Sequence, residues 1–375
     1  MATRSARPKI LKLWSDLKTI LALPGQSPVP LDPMNNGIWI RCLAVVATLA
    51  AAIGGYTWYW HHAAGIMRAS IPKIIDAARD QGYVVTLSET RISGYPYRIS
   101  ISFKSAHVTP ENSPQNWAVE LVNLTGFVQP WNLAHAIFDP GREVNVHWGG
   151  KNYLGVADAA QLSLTFKDGQ PRRISADVTE LTVTEANEGS VFSTHRAQFH
   201  LERRDGNADD RAGYRLSVTA ENAAVPKTLQ SRLTHLAPRI SNLHASGILL
   251  NNREPSISEF ESGLKDWHLE ISRFSIHWPP IEMSGAGHLS VDEKHRFQGS
   301  VRTKTRGYNT IVDSLETAGF LSARKAVATK TVLNLLRQSA KDGNSNRNLL
   351  PITVELQDGR LYLGPVKVMK IQPLW

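Results

Sequence analysis

At 375 residues the chain is long enough for one large domain or two ordinary ones, and its lone cysteine, Cys42, excludes an intramolecular disulfide framework and any cysteine-based zinc site. The formal charge of +9 is uneven: residues 1–41 hold six Lys/Arg against Asp16 and Asp32, residues 42–60 hold no charge, and the rest carry +5. That large remainder has no Lys/Arg stripe, which argues against a nucleic-acid partner and for a mildly basic envelope protein.

Residues 1–37 read as a basic cytoplasmic tail. Ile10, Leu13, Trp14, Leu17 and Leu21 recur at helical spacing, flanked by Lys9, Lys12 and Lys18. Two readings stand side by side: a helix lying on the anionic inner leaflet, or a short helix in a loose tail. The stretch PGQSPVPLDP, residues 24–33, is a stiff proline-rich spacer.

Residues 38–60 read as a membrane segment that gives the protein its lipid-bilayer partner. The nineteen residues 42–60 are uncharged, close to the ~20 that cross a bilayer core. Trp39 at one end and Trp58, Tyr59 and Trp60 at the other suit the two aromatic interface belts. The apolar stretch starts late and is followed by HHAAG without an A-x-A cleavage pattern, so it reads as an uncleaved signal anchor. The basic tail orients it with residues 61–375 in the periplasm, as one domain or two sub-domains.

The large part alternates apolar and polar residues with period two, the pattern of antiparallel strands with one buried face. Strands are expected at YRISISF, REVNVHW, QLSLTF and RRISADVTELTVTE, and then at AQFHLER and YRLSVTAE around the polar loop 204–213. WHLEISRFSIHW follows, then GAGHLSVD and RFQGSVRTKT, joined by EKH. Helices are expected over 66–82, over 226–236, and as a pair over 309–343 broken near Gly319 and stopped at Gly343. The fold class is therefore a β-rich α+β fold: large curved antiparallel sheet or sheets with a few packing helices, preceded by one N-terminal transmembrane helix.

The segment LQDGRLYLGPVKV carries the sharpest local signal. Asp358-Gly359 between alternating apolar residues calls for a type I′ turn, whose two central residues both need positive φ. A two-residue loop fixes the register: Gln357 opposite Arg360, Leu356 opposite Leu361, Glu355 opposite Tyr362, Val354 opposite Leu363. Gly364-Pro365 is expected to stop the strand, because proline donates no ladder hydrogen bond.

Three stretches together resemble the DUF2125 family. SETRISGYPYRISI (88–101) resembles its first signature, with Gly94, Pro96 and Arg98. Residues 271–321, with Trp278-Pro279 leading into a small-residue hairpin, a strand and a helix, resemble the second. Residues 350–368, with Asp358-Gly359-Arg360 and Gly364-Pro365, resemble the closing motif. The chain departs from the family pattern at its front, where a tail precedes the apolar segment. The resemblance implies a single-span alphaproteobacterial envelope protein with its bulk outside the inner membrane. It also implies a family marked by turns and strands, with no set of acids, bases or metal ligands.

Nothing in the sequence assembles a reaction centre. The thirteen histidines include no H-E-x-x-H or H-x-H spacing, and no P-loop, G-x-S-x-G elbow or complete G-x-G-x-x-G is present. No catalytic residue, cofactor or metal is therefore assigned, and the expected role is not enzymatic. The expectation is a tethered binding protein that holds or passes a lipid or other apolar ligand in a β-groove, by fold-level analogy with lipid-handling envelope proteins. The alternative is a scaffold that binds another envelope protein; an envelope hydrolase ranks behind both.

Overall fold

The computed structural model describes residues 36–111, 117–168, 170–204, 213–251, 267–339 and 349–371. The tail helix, the 24–33 spacer, most of the polar loop 204–213 and Gly343 lie outside the described residues. The chain divides into two compact units, Met1–Tyr59 and Trp60–Trp375.

One helix, α1 (Asn36–Asp80), carries the apolar segment and runs without a break, through Pro72, into the stretch expected as a separate helix after it. From Trp39 it is long and apolar enough to cross a membrane. In the first unit most of its described side chains are exposed, with Leu43 at 73% and Trp58 at 69%. Trp60 differs, because it belongs to the second unit and is buried there.

The second unit is one antiparallel sheet. β1 (Tyr83–Leu87), β2 (Arg91–Ser93), β3 (Ile99–Pro110) and β4 (Ala118–Gln129) come first. Next are β5 (Asn132–Asp139), β6 (Glu143–Trp148), β7 (Lys151–Val156), β8 (Ala159–Lys167), β9 (Gln170–Glu185) and β10 (Gly189–Arg204). β11 (Gly213–Ala224), β12 (Arg239–Asn251), β13 (Trp267–Trp278), β14 (Ile281–Val291) and β15 (Phe297–Arg306) follow. β16 (Leu350–Gln357), β17 (Arg360–Leu363) and β18 (Val366–Lys370) end it. The helices are α2 (Lys227–Gln230), α3 (Tyr308–Thr317) and α4 (Ala323–Ser339).

From β8 to β18 every strand pairs with the next in chain order. Earlier strands obey the same rule in broken form. β5 and β6 lie in line along β4, and β7 and β8 lie in line between them and β9. Each is one long strand interrupted once, so the whole sheet is a single meander built of local hairpins.

The interruptions sit side by side. Asn123 on β4 has φ 63°, Gly141 between β5 and β6 has φ 83°, Glu180 on β9 has φ 49° and Asn222 on β11 has φ 51°. Asp158 N–H, between β7 and β8, donates to Thr179 O at 3.1 Å, next to Glu180. The ladder keeps the same register on both sides of Asn123, Glu180 and Asn222, so these left-handed positions form a row across the sheet without slipping the pairing. Gly141 is indispensable in that row: a Cβ there would lie 2.2 Å from Val122 O. Gly141→Ala should cost about 2–3 kcal/mol in urea unfolding, since positive φ alone costs about 1–2 and the facing carbonyl is held in a ladder. Gly149→Ala, with φ 56° but nothing within 4 Å, should show only the smaller φ penalty.

Two hydrophobic clusters hold the sheet. Near its start, Trp60, Ala63 and Ala64 of α1 pack on Ile99, Val128 and Ala136, flanked by Met67, Phe138 and Phe166. Near its end, Tyr308 and Val312 of α3, Leu321, and Ala326 and Leu333 of α4 cover Leu350, Ile352 and Val368. The α3–α4 break falls at Gly319, φ 79°, as its position in the sequence requires. The helix expected over 226–236 shrinks to the four residues of α2, which buries no side chain. A short helix without tertiary packing has too little to hold it. Gly364-Pro365 stops β17 at Leu363 as expected, in a turn with Gly364 at φ 57° that sends the chain back as β18.

Candidate ligand-binding face

Directly opposed residues of neighbouring strands project to the same face of a sheet. A line of such partners crosses nearly the whole meander: Ile101, Gly126, Phe138, Leu162, Ala176 and Phe199, then Val218, Ala245, Phe274, Gly285, Thr303 and Ile352. The adjacent line on the other face reads Ser163, Ser175, His200, Ser217, Ser246 and Arg273. One face is apolar across twelve strand segments and the other is polar.

The helices cover the apolar face only at its two ends. α1 sits over β3, β4 and β5, and α3 and α4 sit over β16 to β18. Between them, on β9 to β13, the same face is open among the described residues. Phe199 is 38% exposed, and Ile174, Val178, Leu201, Leu216, Val218 and Phe274 are only half-buried. Burying apolar surface is worth roughly 25 cal/mol per Å², so a strip of this kind is a standing invitation to an apolar partner.

The polar face is occupied with itself. Arg196 donates to both oxygens of Asp177, at 3.0 and 2.6 Å, and Gln198 adds a third hydrogen bond at 3.0 Å. The Arg196 hydrogen bonds hold the Asp177 carboxyl below the ordinary carboxylate range, against a smaller opposing effect of burial. Glu202 lies between Arg173 and Arg215 at 3.2 and 3.3 Å, and Glu180 hydrogen-bonds His195. Lys151 reaches the buried Glu185 at 3.1 Å, which raises the lysine pKa. Two open basins lie on this face, of about 720 Å³ around Arg273, Ser284 and Arg302 and about 610 Å³ around His107, Glu120 and His147. They are shallow dips between polar side chains; the apolar strip lies on the opposite side of the sheet. Among the described residues no group of three or more His, Cys, Asp or Glu is placed to hold a metal ion, and the His268 and His288 rings stack with centroids 5.9 Å apart.

The motif residues fall at three separate turns and do not converge. Gly94, φ 104°, accepts from Arg98 N–H at 3.0 Å, and a Cβ on Gly94 would lie 2.6 Å from Arg98 O. Pro96 lies inside that turn, after a cis peptide bond to Tyr95. The Arg98 carbonyl takes the Trp60 indole N–H at 3.1 Å, while its guanidinium lies 5.4 Å from the Phe127 ring centroid. The first motif is thus a seat for Trp60. Trp278 donates to Ala237 O at 2.7 Å, and Pro279 O accepts from Ala237 N–H at 2.9 Å, which ties the β13–β14 turn to the entry of β12. Asp358 and Gly359, φ 51° and 67°, form the expected turn, and all four expected pairs, including Gln357 with Arg360, are observed. Gly359 O accepts from Ile371 N–H at 2.8 Å, Gly364 N–H donates to Thr353 O at 2.8 Å, and Pro365 completes the last turn. These residues hold the ends of strands in place.

The functional feature missed by sequence reading is the open strip, although four of its five strands, β9, β10, β11 and β13, were expected and only β12 was not. Comparison with known families agrees with the turns. Residues 60–372 match the family described as "Uncharacterized protein conserved in bacteria (DUF2125)". No curated protein and no solved structure matches the chain. The match begins at Trp60, the first residue of the sheet unit, and ends just past β18, so it spans the whole meander: this chain belongs to the DUF2125 family.

Proposed function

We propose that this is a single-pass inner-membrane protein with its sheet in the periplasm, and that the open apolar strip holds the acyl chain of a lipid or a similar apolar envelope ligand. The observation that carries the proposal is the run of partners from Ala176 through Phe199, Val218 and Ala245 to Phe274, apolar throughout and left uncovered between two helix-covered ends. An acyl chain suits it because, among the described residues, the strip from Ala176 to Phe274 offers apolar contact along its length. The long apolar stretch of α1 supports the anchor, and the basic tail supports the orientation.

Native mass spectrometry and organic extraction of the full chain, purified from membranes in a mild detergent and exchanged into amphipol, test this reading. Wild type should carry lipid. Phe199→Asp and Phe274→Asp should each retain about tenfold less, which corresponds to 1.4 kcal/mol of lost affinity. Ser217→Asp, the same change on the polar face, should retain lipid as wild type does. A clean apo mass for wild type would sink the proposal and turn the strip into a protein-docking surface, the scaffold reading.

A further inference from the structure

The chain enters the sheet at one end of the strands. Trp60 donates to Arg98 O at 3.1 Å and packs on Ile99 and Val128, the first pair of the β3–β4 ladder. The turn at 94–98 and the β4–β5 turn therefore lie at the entry end. Four large side chains are exposed there: Tyr97 at 77%, Trp131 at 64%, Tyr95 at 46% and Leu133 at 41%. The antiparallel register places the β8–β9 turn and the end of β10 at this same end. There Lys167, Arg172 and Arg203 line an open depression of about 330 Å³, in which Asp168 is the acid. Arg172 and Arg203 lie two residues beyond Ile174 and Leu201, an apolar pair of the strip, and share its face.

We propose that this end of the sheet is a membrane-docking surface, seated in the headgroup layer of an anionic bilayer. The inference rests on the anchor reading above and goes beyond it: the sheet makes its own contact with the lipid. The uncharged run 42–60 ends at Trp60 and α1 continues without a linker, so on the anchor reading the bilayer ends near Trp60 along the chain. Exposed Tyr and Trp prefer the interfacial zone, and cations beside them meet anionic headgroups. Neither preference alone would choose a bilayer over a protein; both together, at the chain's entry point, do. Docked in this way, the strip would open toward the bilayer past Arg172 and Arg203, which gives a lipid a route between the two.

The test uses the full chain in nanodiscs, with Cys42→Ser and a single bimane-labelled cysteine at Tyr97→Cys or Trp148→Cys. Trp148 is also exposed, 49%, but lies at the opposite end, beside the start of β4. In discs of phosphatidylglycerol and phosphatidylethanolamine, a doxyl-labelled lipid should quench the label at 97 several-fold more than the label at 148, and aqueous iodide should show the reverse order. Replacing Lys167 and Arg203 by glutamine should weaken lipid quenching at 97 in anionic discs and leave it unchanged in zwitterionic ones. Equal quenching at the two ends, in chains that incorporate into discs, would overturn the docking surface and leave the anchor standing. Chains that fail to incorporate would overturn both. Lipid retention by Phe199→Asp is read separately, so the strip and the docking surface fail independently.

Discussion

Removal of residues 350–375 is expected to give a chain that pellets on expression or is cleaved throughout the sheet by a protease dose that leaves the full chain whole. The segment forms more than a sheet edge. Leu350, Ile352 and Val368 are 1%, 6% and 3% exposed, and they are the floor on which Val312 and Leu333, both fully buried, rest. Burying one such side chain stabilises by about 1.5–3 kcal/mol, and the truncation removes three of them and uncovers Val312 and Leu333 at once. That loss is comparable with the whole margin of about 5–15 kcal/mol by which a domain is stable. The ladder suffers too, since β15 loses its pairing with β16 and Thr303 Oγ1 loses Ile352 O at 2.8 Å. The point version, Ile352→Asp, buries a charge under α3 and α4 and should pellet likewise. A truncated chain with the proteolysis pattern and melting temperature of the parent would refute the idea that this cluster closes the sheet.

The closing hairpin was legible residue by residue because two local constraints agree there. A two-residue turn permits one register, and the alternation around it permits one face. Elsewhere the same alternation slips phase. On β4, Val119 and Leu121 point to the apolar face, and after Asn123 so do Leu124, Gly126 and Val128. On β9 the series Ile174, Ala176, Val178 resumes at Leu181 after Glu180. A left-handed residue turns its strand at each of these places, and a strict period of two fails there, which is why β4 escaped notice. β12 escaped for a different reason: Ala245 and Gly247 occupy its apolar positions and leave no strong signal.

The open strip was out of reach for a deeper reason. Period two shows that each strand has an apolar face, but not that twelve such faces are contiguous; that depends on pairing. Nor does an amphipathic helix disclose how much sheet it covers. The helices α3 and α4 would look alike in sequence whether they roofed the whole face or one end of it. The motif positions were legible as turns, and their tertiary roles were not, because the partners stand far away in sequence: Arg98 is 38 residues from Trp60 and Trp278 is 41 from Ala237.

Trp60 shows what that distance conceals. With Trp58 and Tyr59 it reads as part of an aromatic belt, yet it is 5% exposed while Trp58 is 69% exposed. Its ring meets Tyr95 edge-on at 5.5 Å and His61 at 5.1 Å, and its indole N–H is bound to Arg98 O. Trp60→Ala should therefore lower the unfolding free energy of the sheet by about 3–5 kcal/mol, the range for a buried tryptophan replaced by alanine. Trp60→Phe keeps most of the packing and gives up the hydrogen bond, so it should cost about 0.5–1.5 kcal/mol for the bond plus a small cavity. Trp58→Ala should cost far less, within about 1 kcal/mol, because the side chain is largely exposed. Denaturant unfolding of the full chain in micelles, followed by the far-UV signal of the sheet, separates the three. The expected order is Trp60→Ala lowest, then Trp60→Phe, then Trp58→Ala close to wild type. If the two alanine variants unfolded together, the seat formed by Gly94, Pro96 and Arg98 would be holding nothing, and the start of the sheet would stand on the β3–β4 ladder alone.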